Sequence, residues 1–401
     1  MRSGLFVHYV FGGNKEYPYG VLGKKANGSR VTSVDELADS LDVEDIAAVA
    51  SSMHAEYLQF TAWHADMNVL YPSAVIAQQL PSHSSTRDVI RDLINALRPT
   101  GIKLILYVHP CDGHDFSLED QARVGWHDGP PYTRWNAFIN AVFQELVTRY
   151  RGEVAGYWFD GGLPPQVAAT IGTLRETIRA ADPHAETIQN ESFSGLLPLW
   201  ADYRSRETHQ HQDFAAADPL LADPLQVTRT ITANWWAEGN TLAFPPEVAF
   251  QYTVLQAAVQ GAAGGGVVWC AGPYPGGQWE PGVKEFFQTF GLYIAPVAST
   301  VLGTKPSRSF VTEAGTPLTQ NPLVVATESA DGTTTCVHVL HPPAERKLHL
   351  PVPQDGRIFY AARLFKNDHP VTLTQDERGV HLTLPASDEW DALDTVITLQ
   401  A

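Results

Sequence analysis

Strand-like and helix-like segments alternate from the first residues of the chain to about residue 298. Apolar runs such as Tyr57–Ala62, Ile102–Val108 and Val154–Phe159 have the length of buried strands, and Tyr132–Tyr150 has the pattern of an amphipathic helix. Neighbouring parallel strands need a crossover of this kind between them. The repetition predicts a (β/α)8-type barrel that occupies residues 1–298.

One part of this series lacks a clear pattern. The segment Glu191–Leu242 is irregular, polar and aromatic, so its strands are harder to place. Beyond it, Glu247–Ala263 has a helical pattern, and three glycines lead into Val267–Cys270, an apolar run typical of a buried strand. These last two segments continue the series of βα units.

After Thr300 the segments become shorter and alternate between polar and apolar residues. Leu323–Glu328 and Thr334–Leu340 are two such runs, and they flank Asp331-Gly332, a dipeptide typical of tight β-hairpins. Similar runs continue to the end of the sequence. We expect residues 299–401 to form a small C-terminal all-β sandwich domain.

The charge balance limits the partners of the chain. Its 27 basic and 44 acidic side chains give a formal net charge of -17. Such a surface repels phosphate backbones, so nucleic acid is not an expected partner. No apolar run reaches about 18 residues, so no membrane association through a spanning segment is expected. A homo-oligomer is compatible with these features.

The cysteines and the first residues bear on the compartment. Cys111, Cys270 and Cys336 lie far apart and do not have the spacing of a metal site. The chain leads straight into a strand-like segment, without the apolar region and cleavage site of a secretory signal. These features predict a cytoplasmic protein.

An aspartate follows the fourth predicted strand. Val154–Phe159 carries no charge, and Asp160 comes next, ahead of Gly161-Gly162. Glycines allow a sharp turn and the close approach of another group. Reactive groups of α/β enzymes lie at the carboxyl ends of strands. Asp160 is therefore a candidate catalytic residue, and capping of the following helix is the alternative.

Polar and aromatic residues also follow the other predicted strands, whose carboxyl ends share one rim of a barrel. Two carboxylates that flank a glycosidic bond suffice to cleave it, because one attacks or activates water and the other protonates the leaving oxygen. Neutral histidines and tyrosines can bind sugar hydroxyls, and tryptophan faces can cover apolar sugar surface. This chemistry needs no metal and no organic cofactor. The residues expected at the rim are His8, His64, Asp66, Tyr107, His109, Asp160, Asn190, Glu191, Glu207, Trp235 and Trp236.

Several segments resemble those of glycoside hydrolase family 29, the α-L-fucosidases. Gly4–His8 is similar to the family's first strand and Gly101–Tyr107 to its third. Phe60–Asp66 resembles a segment in which the family has Thr-Ala-Lys-His-His-Asp-Gly. Trp158–Gly161 resembles the segment with the catalytic nucleophile, and Asp202–Glu207 resembles the Asp-aromatic-x-Thr-x-Glu pattern with the acid/base. The resemblance extends from residue 4 to about residue 300.

The resemblance implies a retaining exo-glycosidase that removes a terminal α-L-fucosyl or related sugar by double displacement. Asp160 would be the nucleophile and Glu207 the general acid/base, with Glu191 and Glu238 in reserve. The other candidate residues have structural alternatives. His8, His64 and Tyr107 could instead pack in the barrel, Asp66 could cap its loop, and Trp236 could take the place of Trp235. The implied substrate-binding residues are His8, His64, Asp66, Tyr107 and Trp235.

The sequence departs from the family pattern at two places. Ala65 replaces the second histidine of the paired-histidine motif. Ser192 stands where many members have an arginine in an Asn-Asp-Arg-Trp string, and Arg204 or Arg206 would have to replace that arginine. Because lost hydrogen-bond partners change which hydroxyls a site selects, we expect an altered sugar preference.

Two other functions fit parts of the sequence. A non-catalytic carbohydrate-binding protein could use the same scaffold, although it would not need both carboxylates. A metal-dependent hydrolase could use His209, His211 and Asp213, because residues two apart on a strand share one face. A polar loop beside the active site is the simpler explanation of that string.

Overall fold

The computed structural model of this chain describes residues 2–11, 23–64, 66–109, 116–161, 165–190, 201–208, 213–216, 225–259 and 266–401. Among these residues no helix is long and apolar enough to cross a membrane.

Eight parallel strands form a closed barrel, which confirms the predicted fold class. Each strand pairs with the next one in sequence, and the eighth pairs with the first. The strands are β1 (Ser3–Val7), β2 (Tyr57–Thr61), β3 (Lys103–Val108), β4 (Gly156–Phe159), β5 (Glu186–Asn190), β6 (Tyr203–Thr208), β7 (Leu225–Thr230) and β8 (Gly266–Cys270).

Helices connect the strands and cover the barrel. Several begin as the sequence indicates: the Asp42 side chain accepts a hydrogen bond from the Asp45 amide, and the Asp88 side chain accepts one from the Arg91 amide. In the described part of the chain the helices are α1 (Val34–Asp39), α2 (Val43–Ser52), α3 (Ala74–Gln79), α4 (Val89–Leu97), α5 (Leu118–Val124), α6 (Thr133–Arg149), α7 (Pro165–Ala168), α8 (Ile171–Ala181), α9 (Pro246–Ala258), α10 (Val283–Ile294) and α11 (Ala298–Val301).

Side chains alternate between the two faces of each barrel strand. In β4, Tyr157 and Phe159 pack in the large core between strands and helices, whereas Trp158 packs inside the barrel with Phe6 and Tyr107. This alternation matters for the site, because residue 160 continues the interior face of residue 158.

A buried polar chain crosses the barrel interior below that rim. The Trp158 indole donates from Nε1 to Gln226 Oε1 at 2.9 Å, and Gln226 Nε2 donates to the Tyr57 hydroxyl at 2.9 Å. Buried polar groups bonded in this way hold one arrangement of the interior, because each lost partner leaves a costly unsatisfied group.

Two antiparallel sheets follow the barrel and confirm the predicted C-terminal β fold. One sheet has the order β13-β16-β11-β10-β9 and the other the order β12-β15-β14, and apolar side chains of both share one core. Their strands are β9 (Lys305–Pro306), β10 (Leu323–Glu328), β11 (Thr334–His341), β12 (Lys347–Leu350), β13 (Ala361–Leu364), β14 (Thr372–Asp376), β15 (Gly379–Thr383) and β16 (Thr395–Gln400).

The structure places the strands of the segment Glu191–Leu242, which the sequence pattern does not locate. β6 and β7 lie in it and complete the barrel. The domain boundary at residue 298 stays a prediction; the short helix α11 and β9 lie between the last barrel helix and β10.

Candidate active site

Strand alternation brings several predicted residues to the same end of the barrel interior. His8 follows β1 two residues after Phe6, and Asp160 follows β4 two residues after Trp158. Asn190 ends β5, and Glu207 lies in β6, two residues after Ser205. The Ser205 hydroxyl lies 3.0 Å from the Thr228 hydroxyl of β7 across the interior. Asp160, Asn190 and Glu207 therefore converge from three neighbouring strands.

Asp160 is held by hydrogen bonds to both of its carboxylate oxygens. The Tyr107 hydroxyl donates to Oδ2 at 2.5 Å, and Asn190 Nδ2 donates to Oδ1 at 2.7 Å. His109 Nε2 lies 3.9 Å from Oδ2. These contacts fix the carboxylate in one orientation at the centre of the rim.

The same contacts set the charge of Asp160. Burial acts to raise the pKa of this carboxyl, but the charge of His109 and the hydrogen bonds from Tyr107, Asn190 and the Gly161 backbone outweigh it and lower the pKa below its usual value. Asp160 is therefore ionised at neutral pH, as a group that attacks an electrophilic carbon must be.

Asn190 connects Asp160 to Glu207. Its Nδ2 also donates to Glu207 Oε1 at 2.8 Å, so one amide group bonds both carboxylates. The two Asn190 bonds, of 2.7 and 2.8 Å, together limit the separation of the bonded Asp160 and Glu207 oxygens to at most about 5.5 Å. The side chains predicted as the catalytic pair therefore lie close together, on one shared donor group.

Neighbouring positions of β6 point the other way. Arg204 and Arg206 alternate with Ser205 and Glu207 along the strand, so they occupy its outer face. Consistent with this, Arg206 acts electrostatically on Tyr252, a residue of the covering helix α9. Because they lie on the outer face, neither Arg204 nor Arg206 can replace the sugar-binding arginine of the family.

Aromatic rings form one wall around His8. Its ring centroid lies 5.1 Å from those of His64 and Tyr107, 5.8 Å from that of Trp236 and 6.5 Å from that of Trp235. Among the described residues, neither ring nitrogen of His8 has a hydrogen-bond partner, although the side chain is buried. A buried polar ring without partners is costly unless a ligand supplies them.

His8 and His64 are uncharged at neutral pH. Burial, reinforced by the nearby His64, lowers the pKa of His8 well below its usual value, and burial lowers the pKa of His64 to about 4. A neutral imidazole offers one donor and one acceptor, which suits a sugar hydroxyl. His64 also lies parallel to Tyr107, with ring centroids 5.7 Å apart.

A buried glutamate anchors the loop that carries the two tryptophans. Glu280 Oε1 accepts backbone hydrogen bonds from Glu238, Gly239 and Asn240, at 3.0, 2.7 and 2.5 Å. The Trp236 indole donates to Glu238 Oε2 at 2.9 Å. Sequence reasoning missed Glu280, because its role depends on a loop distant in sequence and no local motif marks it.

The remaining predicted residues lie as follows. The backbone carbonyl of Asp66 accepts a hydrogen bond from His83 Nδ1 at 2.8 Å, and a substrate contact of its carboxylate stays a prediction. Glu191, Ala65, Ser192, His209 and His211 lie outside the described residues. A different set has the geometry to hold a metal: one ligand atom each of His64, His109 and Asp160 lie within 4.8 Å of one another.

A parallel (β/α)8 barrel whose rim brings two acidic side chains together is an architecture of glycosidases. Residues 37–297 match the family model described as Alpha-L-fucosidase. Because this match covers more than half of the chain, the chain belongs to the alpha-L-fucosidase family, and it is a glycosidase of the fucosidase type. None of the curated proteins matches this sequence.

Solved structures share the fold at low sequence identity. An alpha-L-fucosidase of glycoside hydrolase family 29 from Bacteroides thetaiotaomicron, described as a trapped covalent intermediate, has 19% identity and a TM-score of 0.73, with 100% of this chain and 94% of that chain covered. Alpha-L-fucosidase isoenzyme 1 from Paenibacillus thiaminolyticus has 18% identity and a TM-score of 0.70, with coverages of 100% and 96%. Thermotoga maritima alpha-fucosidase in complex with fucose has 17% identity and a TM-score of 0.69, with coverages of 99% and 95%.

Proposed function

We propose that this protein is a retaining exo-glycosidase that releases a terminal α-L-fucosyl or closely related sugar, with Asp160 as nucleophile and Glu207 as general acid/base. The observation that carries the proposal is the shared Asn190 amide, which limits the separation of the bonded carboxylate oxygens to at most about 5.5 Å. Retaining enzymes have carboxyl groups about 5–5.5 Å apart, whereas inverting enzymes need about 6.5–9.5 Å to admit a water molecule.

The first step forms a glycosyl-enzyme. An oxygen of Asp160 attacks the anomeric carbon while Glu207 transfers its proton to the leaving oxygen, so the glycosidic bond breaks as the new ester bond forms. The ionised state of Asp160 suits this attack. A trapped covalent intermediate is described for the Bacteroides thetaiotaomicron relative, which supports this route.

The second step releases the sugar. Glu207, now ionised, takes a proton from water as the water oxygen attacks the anomeric carbon, and the bond to Asp160 breaks. Two inversions restore the original configuration at that carbon. The Asn190 amide group carries two hydrogens, so it can donate to Asp160 and to Glu207 at the same time in both steps.

Sugar recognition is assigned to the neutral histidines and the aromatic wall. The unpartnered nitrogens of His8, and His64 beside it, are the groups whose hydrogen bonds sugar hydroxyls would complete. Trp235 and Trp236 provide apolar surface of the kind that the methyl group of a deoxy sugar needs. The departures at Ala65 and Ser192 leave a related sugar as the alternative to fucose.

A panel of 4-nitrophenyl glycosides tests this function, starting with the α-L-fucoside and its galactoside and arabinoside relatives. We expect one of them to be hydrolysed, with the first-formed product retaining its anomeric configuration by NMR. Asp160→Ala should lose about 10⁴-fold or more of kcat, and Glu207→Gln about 10²–10⁴-fold. A first product of inverted configuration, or near wild-type turnover in Asp160→Ala, would exclude the mechanism.

A further inference from the structure

A set of three metal-binding side chains lies at the centre of the sugar site. His64, His109 and Asp160 follow β2, β3 and β4, and one ligand atom from each lies within 4.8 Å of the others. Two imidazoles and one carboxylate are ligands that Zn²⁺ and related transition-metal ions accept. The proposed glycoside cleavage uses Asp160 and His64 without a metal, so metal binding would be a further property of the same side chains.

The distances are close to those of a metal site. His109 Nε2 lies 3.9 Å from Asp160 Oδ2. Zinc bonds of about 2.0–2.2 Å place two tetrahedral ligand atoms about 3.3–3.5 Å apart. Small rotations of the side chains would therefore bring the donors to bonding distance, without movement of the strands that carry them.

Neighbouring groups hold two of the three ligands, Asp160 and His64, in place. The Tyr107 hydroxyl donates to Asp160 Oδ2, and the Tyr107 ring lies parallel to that of His64 at 5.7 Å. Asn190 donates to the other oxygen of Asp160 at 2.7 Å. Contacts that orient ligands in advance raise metal affinity, because little conformational freedom remains to be lost on binding.

We propose that His64, His109 and Asp160 bind one Zn²⁺ or similar transition-metal ion, and that this ion inhibits the enzyme by occupying the position of the reacting sugar carbon. Three protein ligands leave a fourth position for water or for a nitrogen of His8, whose ring lies 5.1 Å from that of His64. The metal-bound Asp160 carboxylate can no longer attack a glycoside. The inhibition rests on the proposed function, whereas the binding site itself does not.

Binding is measured first, without any glycoside. Isothermal titration calorimetry of the full chain with ZnCl₂, and visible absorption with Co²⁺ as a probe of tetrahedral coordination, should show one ion per chain. His64→Ala, His109→Ala and Asp160→Asn should each weaken binding by at least about tenfold. Thermal unfolding of each variant without metal checks that it is folded, and added Zn²⁺ should raise Tm only where the ligands are intact.

A matched control exists on the β-sheet surface. His349 and His381 face each other across β12 and β15, with ring centroids 4.8 Å apart, and form another histidine pair of the described chain. His349→Ala should leave the stoichiometry and affinity of the proposed site unchanged. Loss of binding in His349→Ala but not in His109→Ala, or no binding to the wild-type chain, would overturn the proposal.

Inhibition is measured second, with the glycoside that the panel identifies. Zn²⁺ should raise the apparent KM without changing kcat, and EDTA should restore full activity. A metal-dependent hydrolase would behave in the opposite way, losing activity in EDTA and regaining it with Zn²⁺, and that result would overturn the inhibitory role. If no glycoside is hydrolysed, the proposed function fails while calorimetry still decides whether the metal site exists.

Discussion

One amide connects the two acidic residues on which the proposed reaction depends. Asn190 donates both hydrogens of its Nδ2 to carboxylates, one to Asp160 and one to Glu207. Two carboxylates this close repel each other, and a shared donor reduces that repulsion while fixing their separation. The sequence places Asn190 at the rim, but the bridging role emerges only from the pairing of β5 with both β4 and β6.

Replacement of this amide should impair catalysis more than stability. In Asn190→Ala both carboxylates lose their shared donor and their relative position is less fixed, so we expect kcat to fall by about 10²-fold, the scale of a small misplacement of catalytic groups. Steady-state kinetics measures the loss, and thermal unfolding checks that the fold is intact. A kcat equal to that of the wild type would show that the bridge does not position the carboxyl groups.

Burial of His64 should make stability depend on pH. Its pKa is about 4 in the folded chain and about 6.5 when unfolded, so between these values the unfolded state binds a proton that the folded state does not. The free energy of unfolding therefore decreases as pH falls from about 6.5 to 4 and gains nothing from this group above that range.

Urea unfolding at several pH values checks this expectation. His64→Gln should show a shallower decrease of the free energy of unfolding between pH 6.5 and 4 than the wild-type chain. His184→Gln, a substitution of an exposed histidine, serves as the control. Equal slopes for the wild type and His64→Gln would contradict the assignment.

At the scale of elements, the strands with continuous apolar sequence could be predicted and the polar ones could not. Tyr57–Thr61, Lys103–Val108 and Gly156–Phe159 carry mainly apolar side chains, and the sequence places each to within two residues. Tyr203–Thr208 and Leu225–Thr230 carry arginine, serine, threonine and glutamate or glutamine. Tyr203–Thr208 is polar on both faces, and Leu225–Thr230 has only Leu225 and Val227 as apolar residues, so neither segment has the continuous apolar sequence of a buried strand.

The same distinction applies to the site. Asp160 could be found because an apolar strand ends immediately before it, and Glu207 could be proposed only through the resemblance of its segment to a known family. Glu280 could not be predicted. It binds three backbone amides about 40 residues away in sequence, and such a contact leaves no local pattern.

The Glu280 anchor should control substrate affinity through the tryptophan loop. Three amide donors converge on one buried carboxylate oxygen, and Glu280→Gln replaces charge-assisted bonds by weaker neutral ones. We expect KM to rise several-fold with a smaller change in kcat, because in the proposed complex Trp235 and Trp236 would contact the sugar and not the breaking bond. Tryptophan fluorescence on addition of fucose should report the same weakening.

A matched variant separates this effect from a general loss of stability. Glu285 is close to Glu280 in sequence and lies in the first turn of α10. No backbone amide of the described tryptophan loop contacts it, so Glu285→Gln is the matched substitution. It should leave KM and the fluorescence response unchanged. Unchanged KM in Glu280→Gln as well would show that the loop holds its conformation without the carboxylate.

At the scale of the molecule, a few buried polar contacts join the barrel to the β-sheets. Gln251 of α9 donates from Nε2 to the carbonyl oxygens of Leu340 and Leu393, at 3.1 and 2.9 Å. His338 of β11 lies between Asp394, whose Oδ2 is 2.7 Å from Nδ1, and the carbonyl of Thr300 in α11, which is 3.2 Å from Nε2. His338 therefore connects α11 to the sheet through contacts of both ring nitrogens.

This connection should contribute strongly to global stability. Side chains of His338 and Asp394 are 0% and 3% exposed, and breaking a buried pair costs about 3–5 kcal/mol because the remaining group is left unsatisfied. Denaturant unfolding of His338→Ala and Asp394→Asn should show losses of that order, and the double variant should lose less than their sum. His369 forms a similar contact with Asp388 at 2.8 Å but is 50% exposed, so His369→Ala should cost no more than about 1 kcal/mol. Equal losses in the buried and the exposed variant would mean that the His338 contact does not hold the barrel to the β-sheets.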